Sequence, residues 1–240
     1  MNRPDAAQKN GFFGGKFTLP YGPADGEAGL QKNFEVAKAH RDAVGPDFNL
    51  MIDCWMSLNP RYTIDLAHRL ESLNIRWLEE CLLPDDYDGW IEIKKHVHHT
   101  MMTTGEHEYT RFGFKKLLDT RSVDVLQPDI TWCGGMTEAL RIVALASAYD
   151  IPVVPHGSGP YSYHLQISHT NCPIGELINL SPGGDKIVPI FGGLFTGEVL
   201  PKDGYVDVPN RPGFGMELVK TNLIRPYLRK GAKLLRNLIK

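Results

Sequence analysis

Apolar residues along this chain come in two alternating patterns. Short unbroken runs of about four to six apolar residues are each followed by a longer stretch in which apolar positions recur every three to four residues. Unbroken runs read as strands covered on both faces, and the 3.6-residue period reads as amphipathic helix. The predicted strands are 11–17, 48–52, 75–78, 101–103, 123–126, 152–154 and 176–180. The predicted helices between them are 27–44, 60–73, 87–96, 111–118, 136–149 and 163–170. In 27–44 the residues Leu30, Phe34, Ala37 and Val44 fall near one face, and Ile64, Leu66, Ala67 and Leu70 do the same in the next helix. Strict strand–helix alternation excludes all-α and all-β classes and predicts an α/β fold around a parallel sheet.

Almost every predicted strand ends in a residue that can do chemistry. NLMIDCW carries Asp53, IRWLEECL carries Glu79, MMTTGEH carries Glu106, VDVLQPD ends in Asp129, IPVVPHG ends in His156 and PIGELINL carries Glu176. Successive members are separated by 26, 27, 23, 27 and 20 residues, about one strand, one helix and two short loops per step. In a barrel of such units all strand C-termini open on one face, so these residues are expected to surround one cavity.

Composition alters this picture little. The chain has 240 residues, 42% apolar and 22% charged, enough for one large core. A formal net charge of −2 gives no reason to expect nucleic acid or an anionic membrane as partner. No apolar run approaches the length of a membrane span, and MNRPDAAQKNG lacks the apolar core of a signal peptide. Cys54, Cys81, Cys133 and Cys172 are widely spaced and make no C-x-x-C pair, which favours reduced thiols and a cytoplasmic protein. After Glu217 come seven basic residues and no acid, so 220–240 is expected to be a solvated basic tail outside a 1–219 domain.

Taken singly, each acid could be a helix cap or a turn residue. Taken together, Asp53, Glu79 and Glu106 would repel one another strongly on adjacent strands unless a cation lay between them. All-oxygen ligation favours magnesium over zinc. Successive strand residues point to opposite faces, so Glu79 is expected to point inward and Glu80 to serve structural ion pairing. Asp129, on the strand beside His156, is placed to hold the imidazole tautomer and raise its basicity. His107 either adds a donor near the metal or packs behind it, and Glu176 either touches substrate or is a plain strand-end acid. The cluster His96, His98 and His99 falls at a helix C-terminus, where the helix dipole accounts for it.

Asp, Glu and Glu on three successive strands, followed by Asp and His on the next two, resembles the mandelate-racemase branch of the enolase superfamily. The segments MIDCWMS, WLEECLLP, GEH, LQPDITWCGGMTE, VVPHGSGPYSYH and PGFGMEL carry the resemblance over about residues 11–219. It implies a (β/α)7β TIM-like barrel in which Asp53, Glu79 and Glu106 ligate Mg2+. His156 would be the general base, paired with Asp129, and Glu176, His107 and Lys16 would contact substrate. The implied reaction is dehydration of a sugar acid, with the metal holding the substrate carboxylate and C2 hydroxyl while the C2 proton leaves. Members of the branch that racemise carry Lys-x-Lys at the end of the second barrel strand. Here that strand reads GGKFT, with Lys16 alone, which suits elimination better than two-base racemisation.

Family members carry a capping domain and a first barrel strand before the segment that opens this sequence, and the full-length family implies a homo-oligomer. The first predicted strand begins at residue 11, so a barrel lacking both features is expected. Two alternatives stand beside a sugar-acid dehydratase: a non-catalytic fragment that needs a partner chain, and a dehydratase for a different aldonate.

Overall fold

A computed structural model describes residues 3–157 and 159–219. It begins with a short helix, α1 (Pro4–Lys9), then strand β1 (Gly14–Thr18), helix α2 (Gly26–Val44) and strand β2 (Asn49–Asp53). Helix α3 (Pro60–Leu70), β3 (Ile75–Glu79), α4 (Tyr87–His96), β4 (Met101–Thr104), α5 (Thr110–Thr120), β5 (Val125–Leu126) and α6 (Met136–Ser147) continue the alternation. Helix α7 (Pro160–Ile167) and two short strands, β6 (Phe195–Thr196) and β7 (Glu217–Leu218), follow.

Strands β1 to β5 form one parallel sheet in sequence order, and isolated bridges Leu126–Val153 and Asp129–His156 carry the arc one step further. The predicted strand at 152–154 is therefore present only as bridges. Segment 176–180 makes no ladder among the described residues, and Glu176 is placed by the Gly157 N–H and Lys16. Strands β6 and β7 pair antiparallel, apart from the main sheet; β7 lies within PGFGMEL, which the resemblance matches to a closing strand, while β6 was not foreseen. Helix α1 was not foreseen either; Pro4 packs against Gly15, where an added Cβ would lie 2.8 Å from the Pro4 Cα. The basic tail from 220 lies outside the described residues.

Local chemistry sets the boundaries. The Asn59 side chain caps α3 by accepting from the Tyr62 N–H at 2.9 Å, with Pro60 following it, and Asp86 caps α4 by accepting from the Gly89 N–H at 2.9 Å. Between sheet and helices lies a continuous apolar core that includes Phe17, Leu50, Ile52, Leu66, Leu78, Trp90, Met102, Phe114, Leu126 and Val153. The opposite face of the strands carries Lys16, Met51, Asp53, Trp77, Glu79 and Thr103. Period-two alternation thus gives the helices an apolar side and puts the charged strand-end groups, beside Met51 and Trp77, on the other.

Arg41 ties this layer together. The residue is 9% exposed, and its guanidinium donates to the carbonyls of Leu73 (2.9 Å), Gly45 (2.8 Å), Phe48 (2.7 Å) and Asn74 (3.0 Å). It thereby joins the end of α2 to the starts of β2 and β3. Arg41→Met leaves these carbonyls without their donor and is expected to cost about 2–4 kcal/mol. A lowered urea midpoint with unchanged slope is the corresponding measurement.

Candidate active site

The strand-end residues meet. Register pairs Thr18 with Asp53, Asp53 with Glu79, and Glu79 with Thr103, so the carboxylates of β2 and β3 stand side by side. Oxygens of Asp53, Glu79 and Glu106 lie within 4.8 Å of one another. Lys16, Asp53, Glu106, His156 and Glu176 line one cavity of about 800 Å3, with Glu79 fully buried beneath them.

Alternation splits the Glu79–Glu80 pair as its sequence position implies. Glu79 accepts from Trp77 Nε1 (2.9 Å) and Gln127 Nε2 (2.9 Å) on one oxygen and from Lys16 on the other. The Gln127 amide oxygen is in turn hydrogen-bonded by Thr103. Glu80, at φ +49°, faces away and accepts from Thr104 Oγ1 (2.8 Å), the Gly105 N–H (3.2 Å) and His107 Nδ1 (2.8 Å). That fixes the turn from which Glu106 projects. Gly105 makes the turn at φ +137°, a conformation that L side chains rarely adopt.

His156 Nδ1 contacts Asp129 Oδ2 at 2.8 Å, and its Nε2 lies 3.3 Å from Glu106 Oε2. Asp129 is itself held by Thr131 N–H and Oγ1 at 2.7 and 2.6 Å. Burial pulls the imidazole pKa down, but the Asp129 hydrogen bond and the charges of Glu176 and Glu106 more than offset this and lift it to about 9. Glu176 accepts from the Gly157 N–H at 2.6 Å and pairs with Lys16 at 2.6 Å.

The donor set fits a divalent cation. Among the described residues, Asp53, Glu79 and Glu176 pair with Lys16 and Glu106 lies beside His156, leaving more carboxylates than cationic partners in a partly desolvated space. Burial, followed by the charges of Glu80, Glu79 and Asp53 against the relief from His156, pushes the Glu106 carboxyl up to about 7. Its Oε2 is buried and makes no hydrogen bond. Lys16 meanwhile holds its ammonium among these groups, 3.6 Å from Asp53 and in contact with Glu79. Burial disfavours that charge, yet Glu176, Glu79 and Asp53 raise its pKa well above the usual lysine range.

One expected contact, His107, is absent from the cavity wall, and the histidine cluster lies away from it, as its place at a helix C-terminus implies. His107 lies behind Glu106, bound to Glu80 and flanked by Trp132, whose indole N–H donates to the His107 carbonyl at 3.2 Å. His96, His98 and His99 fall before β4, at the opposite end of that strand from Glu106. Sequence reasoning missed Trp77, Thr103 and Gln127, which hold Glu79. Gln127 had a signal, a long polar side chain between Leu126 and Pro128 at the end of an apolar run.

The residues that follow Asp53 are strained. Trp55 (φ +42°) and Met56 (φ +61°) are consecutive non-glycine residues in the left-handed region, at a cost of about 1–2 kcal/mol each.

Comparison with known proteins places this geometry. The profile of the enolase C-terminal domain-like family matches residues 5–222. The L-rhamnonate dehydratase of Saccharopolyspora erythraea is 48% identical over 227 residues, covering 94% of this chain and 58% of that protein. A crystal structure of rhamnonate dehydratase from Gibberella zeae complexed with Mg superposes with a TM-score of 0.89 at 52% identity, covering 91% of this chain and 54% of that one. The 3,6-anhydro-D-galactonate cycloisomerase from Zobellia galactanivorans gives 0.78 at 30% identity, covering 90% and 58%. This chain spans little more than half the length of these relatives. No helix among the described residues is long and apolar enough to cross a membrane. With the family profile covering nearly all of the chain, and acids and a histidine gathered at the strand ends, the chain belongs to the enolase C-terminal domain-like family.

Proposed function

We propose that this chain dehydrates a sugar acid with the help of Mg2+, taking L-rhamnonate to 2-keto-3-deoxy-L-rhamnonate. The observation that carries the proposal is the convergence of Asp53, Glu79 and Glu106 beside an imidazole whose far nitrogen is held by Asp129. Its support from relatives is the L-rhamnonate dehydratase of S. erythraea and the magnesium-complexed enzyme of G. zeae.

Asp53, Glu79 and Glu106 would hold the ion. When bound, it supplies positive charge that makes the hydrogen beside a carboxylate acidic. Asp129 keeps His156 Nδ1 occupied, so Nε2 is the atom that removes the C2 proton. The C2–H electron pair becomes the C2–C3 double bond as the C3–O bond breaks. The imidazolium returns its proton to the departing hydroxyl, and water leaves. The enol then tautomerises to the 2-keto acid. Racemisation would need a second base, and Lys16, paired with Glu176, Asp53 and Glu79, is held protonated. The proposed setting is cytoplasmic, supported by four free cysteines, with assembly into a homo-oligomer supported by the family resemblance.

Incubation with L-rhamnonate and Mg2+ is expected to yield a keto acid, and chelator to stop it. Failure with every four- to six-carbon aldonate would overturn the proposal. The chain's coverage of little more than half of its relatives favours one second reading, in which the same residues act only with a further segment or partner chain. Turnover by the 240-residue chain alone rejects it.

A further inference from the structure

Trp55 is unexplained by folding. Its side chain lies outside the core and is 65% exposed, yet its backbone is held in a conformation that bulky residues avoid. Such strain persists only where surrounding structure imposes it, and it gathers at ligand sites. Here the imposition is visible. Cys54 N–H donates to the Glu79 carbonyl at 2.9 Å, Met56 N–H to the Glu80 carbonyl at 2.5 Å, and Leu58 N–H to the Cys81 carbonyl at 3.0 Å. The loop is thus laid along the continuation of β3. The Trp55 N–H itself donates to Asp53 Oδ1 at 3.0 Å, tying the indole's backbone to the carboxylate two residues before it.

The result is a large flat ring fixed on the wall of the cavity that holds Lys16, Asp53, Glu106, His156 and Glu176. On its other side the indole neighbours His107, with ring centroids 6.5 Å apart. Those five residues are charged or titratable and suit a carboxylate and hydroxyls, while the same cavity also carries apolar side chains such as Phe12, Met51 and Ile187. An exposed indole suits the carbon-bound hydrogens of a chain, by dispersion and by displacing water from apolar surface. With the carboxylate end of a substrate directed to Asp53, Glu106 and His156, a residue beside Asp53 at the wall can meet the far end.

We propose that Trp55 determines specificity by stacking on the apolar end of the substrate chain, selecting a six-carbon, 6-deoxy aldonate over a shorter one. The inference rests on the sugar-acid dehydratase proposal.

Calorimetric titration in Mg2+ tests it, on the whole 240-residue chain with His156→Asn added to stop turnover. The probes are a 6-deoxy six-carbon aldonate and a four-carbon aldonate of the same C2 and C3 configuration. Trp55→Ala is expected to weaken the six-carbon ligand about tenfold and the four-carbon ligand less than about twofold. Trp55→Phe should recover most of the loss. Trp55→Asn, whose side chain tolerates the left-handed backbone, should match Trp55→Ala and separates ring loss from misfolding. With His156 intact, KM for the six-carbon substrate should rise while kcat holds. Equal weakening of both ligands, or of neither, overturns the inference alone. A folded Trp55-containing protein that binds neither aldonate overturns the dehydratase proposal with it.

Discussion

Replacing His156 with asparagine is expected to lower kcat by about a thousandfold or more, about 4 kcal/mol of barrier, while substrate binding changes little. Asparagine keeps a polar group near Asp129 but provides no basic nitrogen at the position of Nε2. Among the described residues, His156 is the only imidazole lining the cavity, and Lys16 is held protonated by three carboxylates, so no other base takes over. Asp129→Asn should have a smaller effect with a distinct pH signature. The folded His156 pKa is raised to about 9, and Asp129 contributes to that rise. The reaction needs neutral imidazole, so kcat/KM must climb as pH rises through the imidazole pKa and level off above it. Removing Asp129 lowers that pKa, so the rising limb should move to lower pH while the plateau falls, because a weaker base abstracts the proton more slowly. Neutralising Glu106 and Glu176 with a cation acts in the same direction, which puts the limb of the magnesium-loaded protein below 9. A pH–rate profile of the three proteins is the measurement.

Addition of Mg2+ should raise the melting temperature. An ion that binds only the folded chain stabilises it by about 2.7 kcal/mol at one hundred times its dissociation constant. For a chain of this size that corresponds to about 5–10 °C. The physical source is the crowding of Asp53, Glu79 and Glu106, whose oxygens lie within 4.8 Å of one another, in a space where burial first and neighbouring carboxylates second raise the Glu106 carboxyl. Asp53→Asn and Glu106→Gln should each melt at or above the unsubstituted chain when both lack metal, since a like charge has been removed. Each should also lose most of the magnesium-induced shift. This crossing of effects distinguishes a metal site from a structural acid cluster, in which Mg2+ would leave all three melting temperatures unchanged. Calcium at equal concentration is expected to give a smaller shift, because three carboxylates packed this closely match a smaller ion better.

The strand-end chemistry was legible because it rests on short-range regularities. Asp53, Glu79, Glu106, Asp129 and His156 each follow an apolar run, and the βα repeat carries them to one face whatever the loops do. The inward placement of Glu79 followed from alternation, whereas Glu80, at a left-handed φ just past the strand, is buried between Thr104, Gly105 and His107. What escaped notice depends on contacts across the fold. Trp77 shares the inward face of Glu79 by the same two-residue alternation and was passed over as a core aromatic, whereas only register places Thr103 and Gln127 against Glu79. The left-handed turn at Trp55 and Met56 carries no glycine or asparagine to announce it, because it is imposed by carbonyls of a neighbouring segment. Segment 176–180 looked like a strand because it is apolar, but Glu176 is held by the Gly157 N–H and Lys16 rather than by a ladder. Helix α1 is too short for its pattern to stand out from a loop.

The most direct test is the fate of the C2 hydrogen of L-rhamnonate, followed by proton NMR in deuterated buffer with Mg2+. The predicted result is loss of the C2 proton signal in step with keto acid formation, with deuterium at C3 of the product and neither change in His156→Asn. Keto acid formed at an undiminished rate by His156→Asn, or substrate epimerised at C2 without loss of water, would contradict the account.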